Sequence, residues 1–116
     1  MSTLSMEPPA RDWVFINSPF RLKFIILAVG LCMGVSPETI KGRSRLKQHA
    51  LARKIVYYLA RERTRLSSNE IGRRMDRDHS TVLHGAKWAR NKLAEGDADL
   101  ERIINAVEVR LREGRI

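Results

Sequence analysis

Four consecutive polar residues have the side chains best suited to bind another molecule: Asp78, His79, Ser80 and Thr81. The carboxylate accepts hydrogen bonds, while the imidazole and the hydroxyls can both donate and accept them. Short side chains of this kind, placed at the start of a helix, reach base edges and thymine methyl groups in the major groove of DNA. Their types and spacing predict direct contact with DNA.

A second group of polar residues lies upstream, in the segment Lys41–Lys47. This segment contains a glycine and no apolar periodicity, so it predicts a loop. Its basic residues Arg43, Arg45 and Lys47 alternate with neutral ones. Three cations close to a helix start that presents hydrogen-bonding groups favour contact with a nucleic acid.

The distribution of charge agrees with a nucleic-acid partner. The chain has 22 basic and 13 acidic residues, a net charge of +9. Between Lys41 and Arg90 there are 14 basic and 4 acidic residues, a net +10, which leaves 8 basic and 9 acidic residues elsewhere. Because apolar residues recur periodically among these charges, they indicate a folded basic surface rather than disorder.

The same composition argues against other functions. A length of 116 residues suits one domain, without the large sheet and separate substrate domain of many enzymes. No Ser/His/Asp or paired-carboxylate spacing supports catalysis, so we expect no enzyme. Cys32 is the only cysteine, and His79 and His84 do not share a helical face, so we expect no disulfide, metal or cofactor.

The apolar run Phe24–Met33 raises the question of a membrane span. Its ten residues fall short of the roughly 20 that cross a bilayer. We therefore expect a buried helix in a cytoplasmic protein. That helix begins at Ser18-Pro19. Phe20, Phe24, Leu27 and Leu31 form one stripe at helical spacing, and Ile25, Ile26 and Val29 widen it, so we expect a helix that is central to the core or partly exposed for a partner. Residues 1–17, with Pro8-Pro9, predict a flexible arm before a domain over residues 18–116.

Helix signals continue to the end of the chain. A short turn follows Ser36, and a long helix spans roughly Gln48 to Arg63. The capping box Ser67…Glu70 opens a short helix ending near Met75, and Asp78 and Asp97 cap two more. No segment alternates as a strand would. The sequence predicts a compact all-α domain of about five to six helices, containing a helix-turn-helix.

The motif around the polar group is specific. Residues Arg77–His84 (RDHSTVLH) closely resemble the signature RDHTTVxHA of the C-terminal DNA-binding domain of the bacterial replication initiator DnaA. The resemblance extends through Ser67–Gly72, Ala52–Glu62 and Gly42–Arg45, and covers roughly residues 21–112. No GxxxxGK[ST] motif is present, so we expect the DNA-binding part without the family's ATPase module.

The resemblance implies roles for individual residues and a target. Arg45, with Arg43 beside it, matches the minor-groove arginine, and Asp78, His79, Ser80 and Thr81 match the major-groove contacts. The implied phosphate contacts are Lys47, Arg53, Lys54, Arg61, Ser67, Ser68, Asn69 and Arg77. The implied partner is double-stranded DNA carrying an asymmetric TTATNCACA-type box, bound by a monomer. A regulatory role in replication initiation or transcription, in the bacterial nucleoid, follows from this resemblance.

Two departures from the family pattern bear on DNA binding. A single Asp76 stands where the family usually has two glycines, so the turn is one residue shorter and carries a negative charge near phosphate. Ser80 replaces the usual threonine, which removes one methyl group that could contact a thymine. We expect slightly weaker binding and an altered preference at one position. We also expect His84 to bond across to another helix.

Other functions remain possible from the sequence. A dimeric helix-turn-helix repressor would use the apolar segment Phe20–Met33 for self-association, and the same segment suits a protein partner. A protein-interaction adaptor of the replication machinery would keep the scaffold without the DNA target. Binding to RNA, or to any nucleic acid through charge alone, is the weakest alternative.

Overall fold

The protein is described by a computed structural model over residues 18–114, with side chains from residue 22 onward. The predicted arm over residues 1–17 lies outside the described residues, as do residues 115–116. The described part consists of six helices and contains no strand. The helices are α1 (Ser18–Met33), α2 (Pro37–Lys41), α3 (Lys47–Arg63), α4 (Ser68–Met75), α5 (His79–Ala94) and α6 (Ala98–Glu113). The all-α prediction is confirmed.

Helix α3 lies at the centre of the fold. It makes the most extensive contacts of any helix pair with α5, and it also packs against α1. Its core-facing side chains Ala52, Ile55, Val56 and Leu59 are fully buried. Helix α6 packs chiefly on α1 and completes the core. Helix α5, which carries the predicted base contacts, therefore packs on the buried apolar side chains of α3.

Helix α1 buries part of the predicted stripe. Ile25, Ile26 and Val29 are buried as expected, whereas Phe24 and Leu27 are half-buried and Leu31 is 54% exposed. Apolar residues occur on every side of α1, so their spacing did not single out one face. The residues that it buries are Leu22, Ile25, Ile26, Ala28 and Val29.

Helices α4 and α5 form the predicted helix-turn-helix. The capping box is present: the Ser67 hydroxyl accepts from the Glu70 N–H at 3.1 Å, and the Glu70 carboxylate accepts from the Ser67 N–H at 3.1 Å. The bonds that the Glu70 carboxylate accepts, first from the Ser67 N–H and then from the Ser67 hydroxyl, lower the pKa of Glu70 below its ordinary value. Only residues 76–78 separate the two helices.

The turn is kept tight by a glycine near the end of α4. The Gly72 carbonyl accepts a hydrogen bond from the Arg77 N–H at 2.7 Å. A Cβ atom at position 72 would collide with the carbonyl oxygen of Arg77, so the two backbone segments approach this closely only with glycine at this position. This contact fixes where α5 begins.

Candidate nucleic-acid interface

The polar group predicted to contact bases lies at the start of α5 and faces solvent. Asp78 is the N-cap residue, but its carboxylate accepts no hydrogen bond from the helix. The side chains of Asp78 and His79 are 69% and 53% exposed, and Thr81 is also exposed. Ser80 is half-buried. The structure thus brings the four predicted residues together, with the Asp78 carboxylate 3.6 Å from Nδ1 of His79 and not bonded to the helix backbone.

The outer face of α5 extends beyond these four residues. Leu83 is 40% exposed, and His84 and Lys87 are also exposed. Together with Ser80 they follow the spacing i, i+3, i+4, i+7 of one helical face, a signal that would have found them in the sequence. The prediction that His84 bonds to another helix was wrong, because it faces solvent and has no hydrogen-bond partner within residues 18–114.

Helix α5 packs closely against α3 at Gly85. Val82 and Ala89 of α5 are fully buried, and Gly85 faces the ring of Tyr57 on α3. A Cβ atom at position 85 would lie 2.6 Å from Cδ2 of Tyr57, which is itself 2% exposed. The aromatic ring therefore fills the space that a larger residue on α5 would need. This packing determines how far the outer face of α5 lies from α3.

Arg53, like Ser68, is a predicted phosphate contact that the structure buries. It is 8% exposed, and its guanidinium donates to three backbone carbonyls. The bonds go to Ile40 at 2.7 Å, Ser44 at 2.6 Å and Thr39 at 3.1 Å. Burial, with the positive charge of Arg77 nearby, lowers the pKa of Arg53 below its ordinary value. Its geometry corrects the prediction: Arg53 holds the basic loop and does not face solvent.

Arg77 holds the same loop from the side of the helix-turn-helix. Its guanidinium donates to the carbonyl of Gly42 and, at 3.5 Å, to that of Lys41. It also donates to the carbonyls of Met75 and Asp76, each at 3.1 Å. Residues 39–44 are therefore held between two guanidinium groups, and the loop is fixed next to the start of α5.

The loop presents its remaining cations to solvent. Arg45 and Lys47 are exposed on either side of Leu46, which is 65% exposed at the N-cap of α3. The Arg43 guanidinium instead donates to the Asp76 carboxylate at 2.6 Å. The predicted minor-groove arginine and the predicted major-groove residues thus lie on adjoining segments of one surface.

Most of the other predicted phosphate contacts already have partners inside the protein. Lys54 is half-buried, with its Nζ 4.4 Å from the ring centroid of Trp88. Arg61 is exposed and donates to the hydroxyl of Ser68 at 2.8 Å, and Ser68 is 8% exposed. Ser67 is committed to the capping box, whereas the Asn69 side chain is exposed.

Comparison with known proteins agrees with this architecture. A family model described as the bacterial DnaA protein helix-turn-helix matches residues 22–88, which is more than half of the chain. The chain belongs to this DnaA helix-turn-helix family. It therefore contains an all-α, DnaA-like DNA-binding domain, as the signature at Arg77–His84 predicted.

Several curated DnaA proteins are similar to the chain. The chromosomal replication initiator protein DnaA 1 of Chlamydia trachomatis is 37% identical over 89 residues, which are 75% of this chain and 20% of that protein. DnaA 2 of Chlamydia caviae is 41% identical over 76 residues, 66% of this chain and 16% of that protein. DnaA of Streptococcus mutans is 40% identical over 84 residues, 69% and 19% respectively. The chain thus spans about a fifth or less of the length of these relatives.

Two residues of the site depart from the DnaA family pattern. The signature ends in alanine at the position of Gly85, a difference that sequence reasoning overlooked. The glycine leaves room for the Tyr57 ring. At Asp76, where the DnaA family usually has glycine, the backbone is left-handed with φ 57°.

Across the described helices, none has the length and apolar character needed to span a membrane.

Proposed function

We propose that the chain binds double-stranded DNA at an asymmetric box of the TTATNCACA type, as a monomer. One observation carries the proposal: the loop that bears Arg45 is fastened directly beside the exposed start of α5, through the bonds from Arg77 to residues 41 and 42. A rigid loop and a helix start on one surface can enter adjacent minor and major grooves at the same time. Binding at such boxes would place the chain in the regulation of replication initiation or transcription.

The groups on this surface divide into three roles. Asp78, His79, Ser80 and Thr81 contact base edges, with Asp78 accepting from an exocyclic amino group. Arg45 enters a narrow A/T-rich minor groove, where the negative potential is highest, and Arg43 lies beside it at the phosphate edge. The groups that contact phosphates are Lys47, Lys54, Arg61 and the start of α4 at Ser67, Ser68 and Asn69.

The proposal is one of binding without catalysis. The measurement is fluorescence anisotropy of a labelled duplex carrying the box and of a scrambled duplex, at one near-physiological salt concentration. A protein that reads bases should prefer the box by at least ~10³-fold. Equal affinity for the two duplexes would overturn the proposal.

A pair of variants separates base contacts from general effects on α5. His79→Ala should weaken binding to the box by about 1–3 kcal/mol and leave the scrambled duplex nearly unaffected. Asn91→Ala is the control, since this exposed residue lies about 18 Å further along the same helix. An unchanged preference in His79→Ala would remove this residue from the base contacts.

The alternative of a dimer through Phe20–Met33 gains no support from the described side chains. Helix α1 buries Leu22, Ile25, Ile26 and Val29 inside its own domain and leaves Leu31 as its exposed large apolar residue. Light scattering of the free protein and of the complex with the box distinguishes one copy per box from two.

A further inference from the structure

The ion pair between Asp76 and Arg43 joins the two segments that the proposed function assigns to DNA. Arg43 belongs to the loop at residues 42–46, and Asp76 is the first residue of the turn before α5. The guanidinium donates to Oδ2 of the carboxylate at 2.6 Å, across 33 residues of sequence. A guanidinium binds carboxylate and phosphate oxygens in the same manner. Asp76 therefore occupies the donor group with which Arg43 would contact a DNA phosphate.

The backbone at Asp76 is one that favours glycine. Its φ of 57° is the only positive φ of a non-glycine residue in the described part of the chain. The left-handed conformation costs an L-residue free energy, although aspartate tolerates it better than most. Here the conformation is that of a helix C-cap, because the Asp76 N–H donates to the carbonyl of Arg73 at 3.4 Å at the end of α4.

We propose that Asp76 is a specificity-determining residue: it acts as an internal counterion for Arg43 and withholds this arginine from the phosphates of non-cognate DNA. The inference rests on the proposed function, which assigns the loop to the duplex. Binding to non-cognate DNA depends almost wholly on phosphate contacts, each of which releases counterions. A cation that the protein itself has neutralised contributes less to that binding.

The ion pair between Asp76 and Arg43 lowers the affinity for the cognate box less than it lowers the affinity for non-cognate DNA. When Arg45 enters the minor groove, the loop is drawn into a region of strong negative potential. The two side chains are 69% and 85% exposed, and exposed pairs of this kind contribute little free energy. Entry of the loop into the groove therefore separates the side chains of Asp76 and Arg43, and Arg43 can then contact DNA phosphates. On a duplex that Arg45 does not enter, the pair persists.

The test compares Asp76→Asn with a matched control on a distant helix. Asparagine keeps the size of the side chain and tolerates the left-handed backbone, but it removes the charge. The control is Asp99→Asn on α6, which removes the same charge from an exposed pair with Arg102, 2.7 Å long and 71% and 82% exposed. Affinities for the box and for the scrambled duplex are measured between about 50 and 200 mM salt.

Asp76→Asn should bind the scrambled duplex about three- to fivefold more tightly than the unmodified protein. The slope of log affinity against log salt should become steeper by about one. Affinity for the box should rise less, so the preference for the box falls. Asp99→Asn should change none of these quantities. An unchanged affinity and slope on the scrambled duplex for Asp76→Asn would overturn the inference.

A second test, in a protein that carries Arg43→Gln, distinguishes two roles of Asp76: neutralising Arg43, or directly repelling the DNA. In a protein that already carries Arg43→Gln, Asp76→Asn should have no further effect on the scrambled duplex. An equal gain in that background would show that Asp76 acts on the DNA directly, and the inference fails. If the unmodified protein shows no preference for the box, the proposed function fails, while the dependence of the Asp76→Asn effect on Arg43 still decides the counterion role.

Discussion

The guanidinium of Arg53 donates a hydrogen bond to the backbone carbonyl of Ser44 at 2.6 Å, so a buried residue of α3 holds the loop that carries Arg45. The same group also bonds the carbonyls at residues 39 and 40, near the end of α2. A loop fixed in this way loses little conformational freedom when it enters a groove, which lowers the entropic cost of binding. Under the proposed function, we therefore expect the affinity that Arg45 contributes to depend on Arg53.

Arg53→Lys should separate this positioning role from a phosphate contact. Lysine keeps the charge but cannot bond three carbonyls in the fixed planar geometry of a guanidinium. We expect the free energy of unfolding to fall by about 1.5–3 kcal/mol, the magnitude of hydrogen bonds to a charged group. Affinity for the box should fall about tenfold, since a loosened loop must be ordered on binding. Urea denaturation and anisotropy give the two quantities.

The salt dependence decides between the two roles of Arg53. The slope of log affinity against log salt should be unchanged in Arg53→Lys and also in Arg53→Met, because neither loses a phosphate contact. Arg45→Ala is the contrasting variant: it should lower affinity while leaving stability within about 0.5 kcal/mol. A slope that became shallower by about one in Arg53→Met would show that Arg53 contacts phosphate after all.

Gly85→Ala should destabilise the protein even though alanine favours helices. The added Cβ atom would lie 2.6 Å from Cδ2 of Tyr57, a ring held in the core at 2% exposure. Overpacking of this kind costs about 1–3 kcal/mol, more than the gain of up to about 1 kcal/mol from helix propensity. Urea denaturation measures the difference.

The neighbour of Gly85 provides the control. In a Tyr57→Leu background the collision is relieved, so Gly85→Ala should become neutral or stabilising there. The two substitutions are therefore strongly non-additive. If Gly85→Ala is at least as stable as the unmodified protein, the close approach of α5 to α3 does not depend on the glycine.

Much of the fold was predictable because its signals are local. The capping box at Ser67 and Glu70, and the start of α5 after Asp78, depend on residues within one helical turn, and both are present. The helix-turn-helix follows from them. The buried face of α1 was predictable only in part: Ile25, Ile26 and Val29 are buried as expected, but Leu31 is exposed, because apolar residues occur on every side of the helix and tertiary packing made the choice.

The candidate site was predictable in its exposed part and less so in its buried part. The sequence placed Arg53 among basic residues of a DNA-facing segment, yet its role depends on carbonyls up to 14 residues away. A signal was present: Arg53 shares a helical stripe with the buried residues Val56, Tyr57 and Ala60. The pairing of Arg43 with Asp76 had no local signal, because it joins residues 33 positions apart.

Ser80→Thr should restore a methyl contact that the family's usual threonine provides. One buried methyl group contributes about 0.8 kcal/mol, so affinity for the box should rise about fourfold. The gain should disappear on a duplex in which the contacted thymine is replaced by uracil, which lacks the methyl group. A gain that survives uracil substitution at every thymine of the box would contradict a methyl contact.

The pH dependence of stability in Tyr57→Phe tests the burial of Tyr57 between α3 and α5. The Tyr57 hydroxyl is buried without a hydrogen-bond partner among residues 18–114. Burial raises the pKa of Tyr57 above its ordinary value of 10.0, and the charges of Arg77, Arg53 and Arg43 offset part of that rise. A group whose pKa is higher in the folded state contributes stability that is complete below its unfolded pKa and is lost as pH rises through its folded pKa.

The unmodified protein should therefore lose stability as pH rises above 10, and Tyr57→Phe should lose less. At pH 7 the variant should be as stable as the unmodified protein or up to about 1–3 kcal/mol more stable, because phenylalanine removes an unsatisfied buried hydroxyl. Tyr58→Phe is the control for the neighbouring tyrosine, whose pKa is also raised, by burial and by the charges of Glu62 and Glu108. Urea denaturation across this pH range measures both effects. A loss of stability at pH 7 in Tyr57→Phe would show that the hydroxyl has a partner, and the alkaline effect would then need another source.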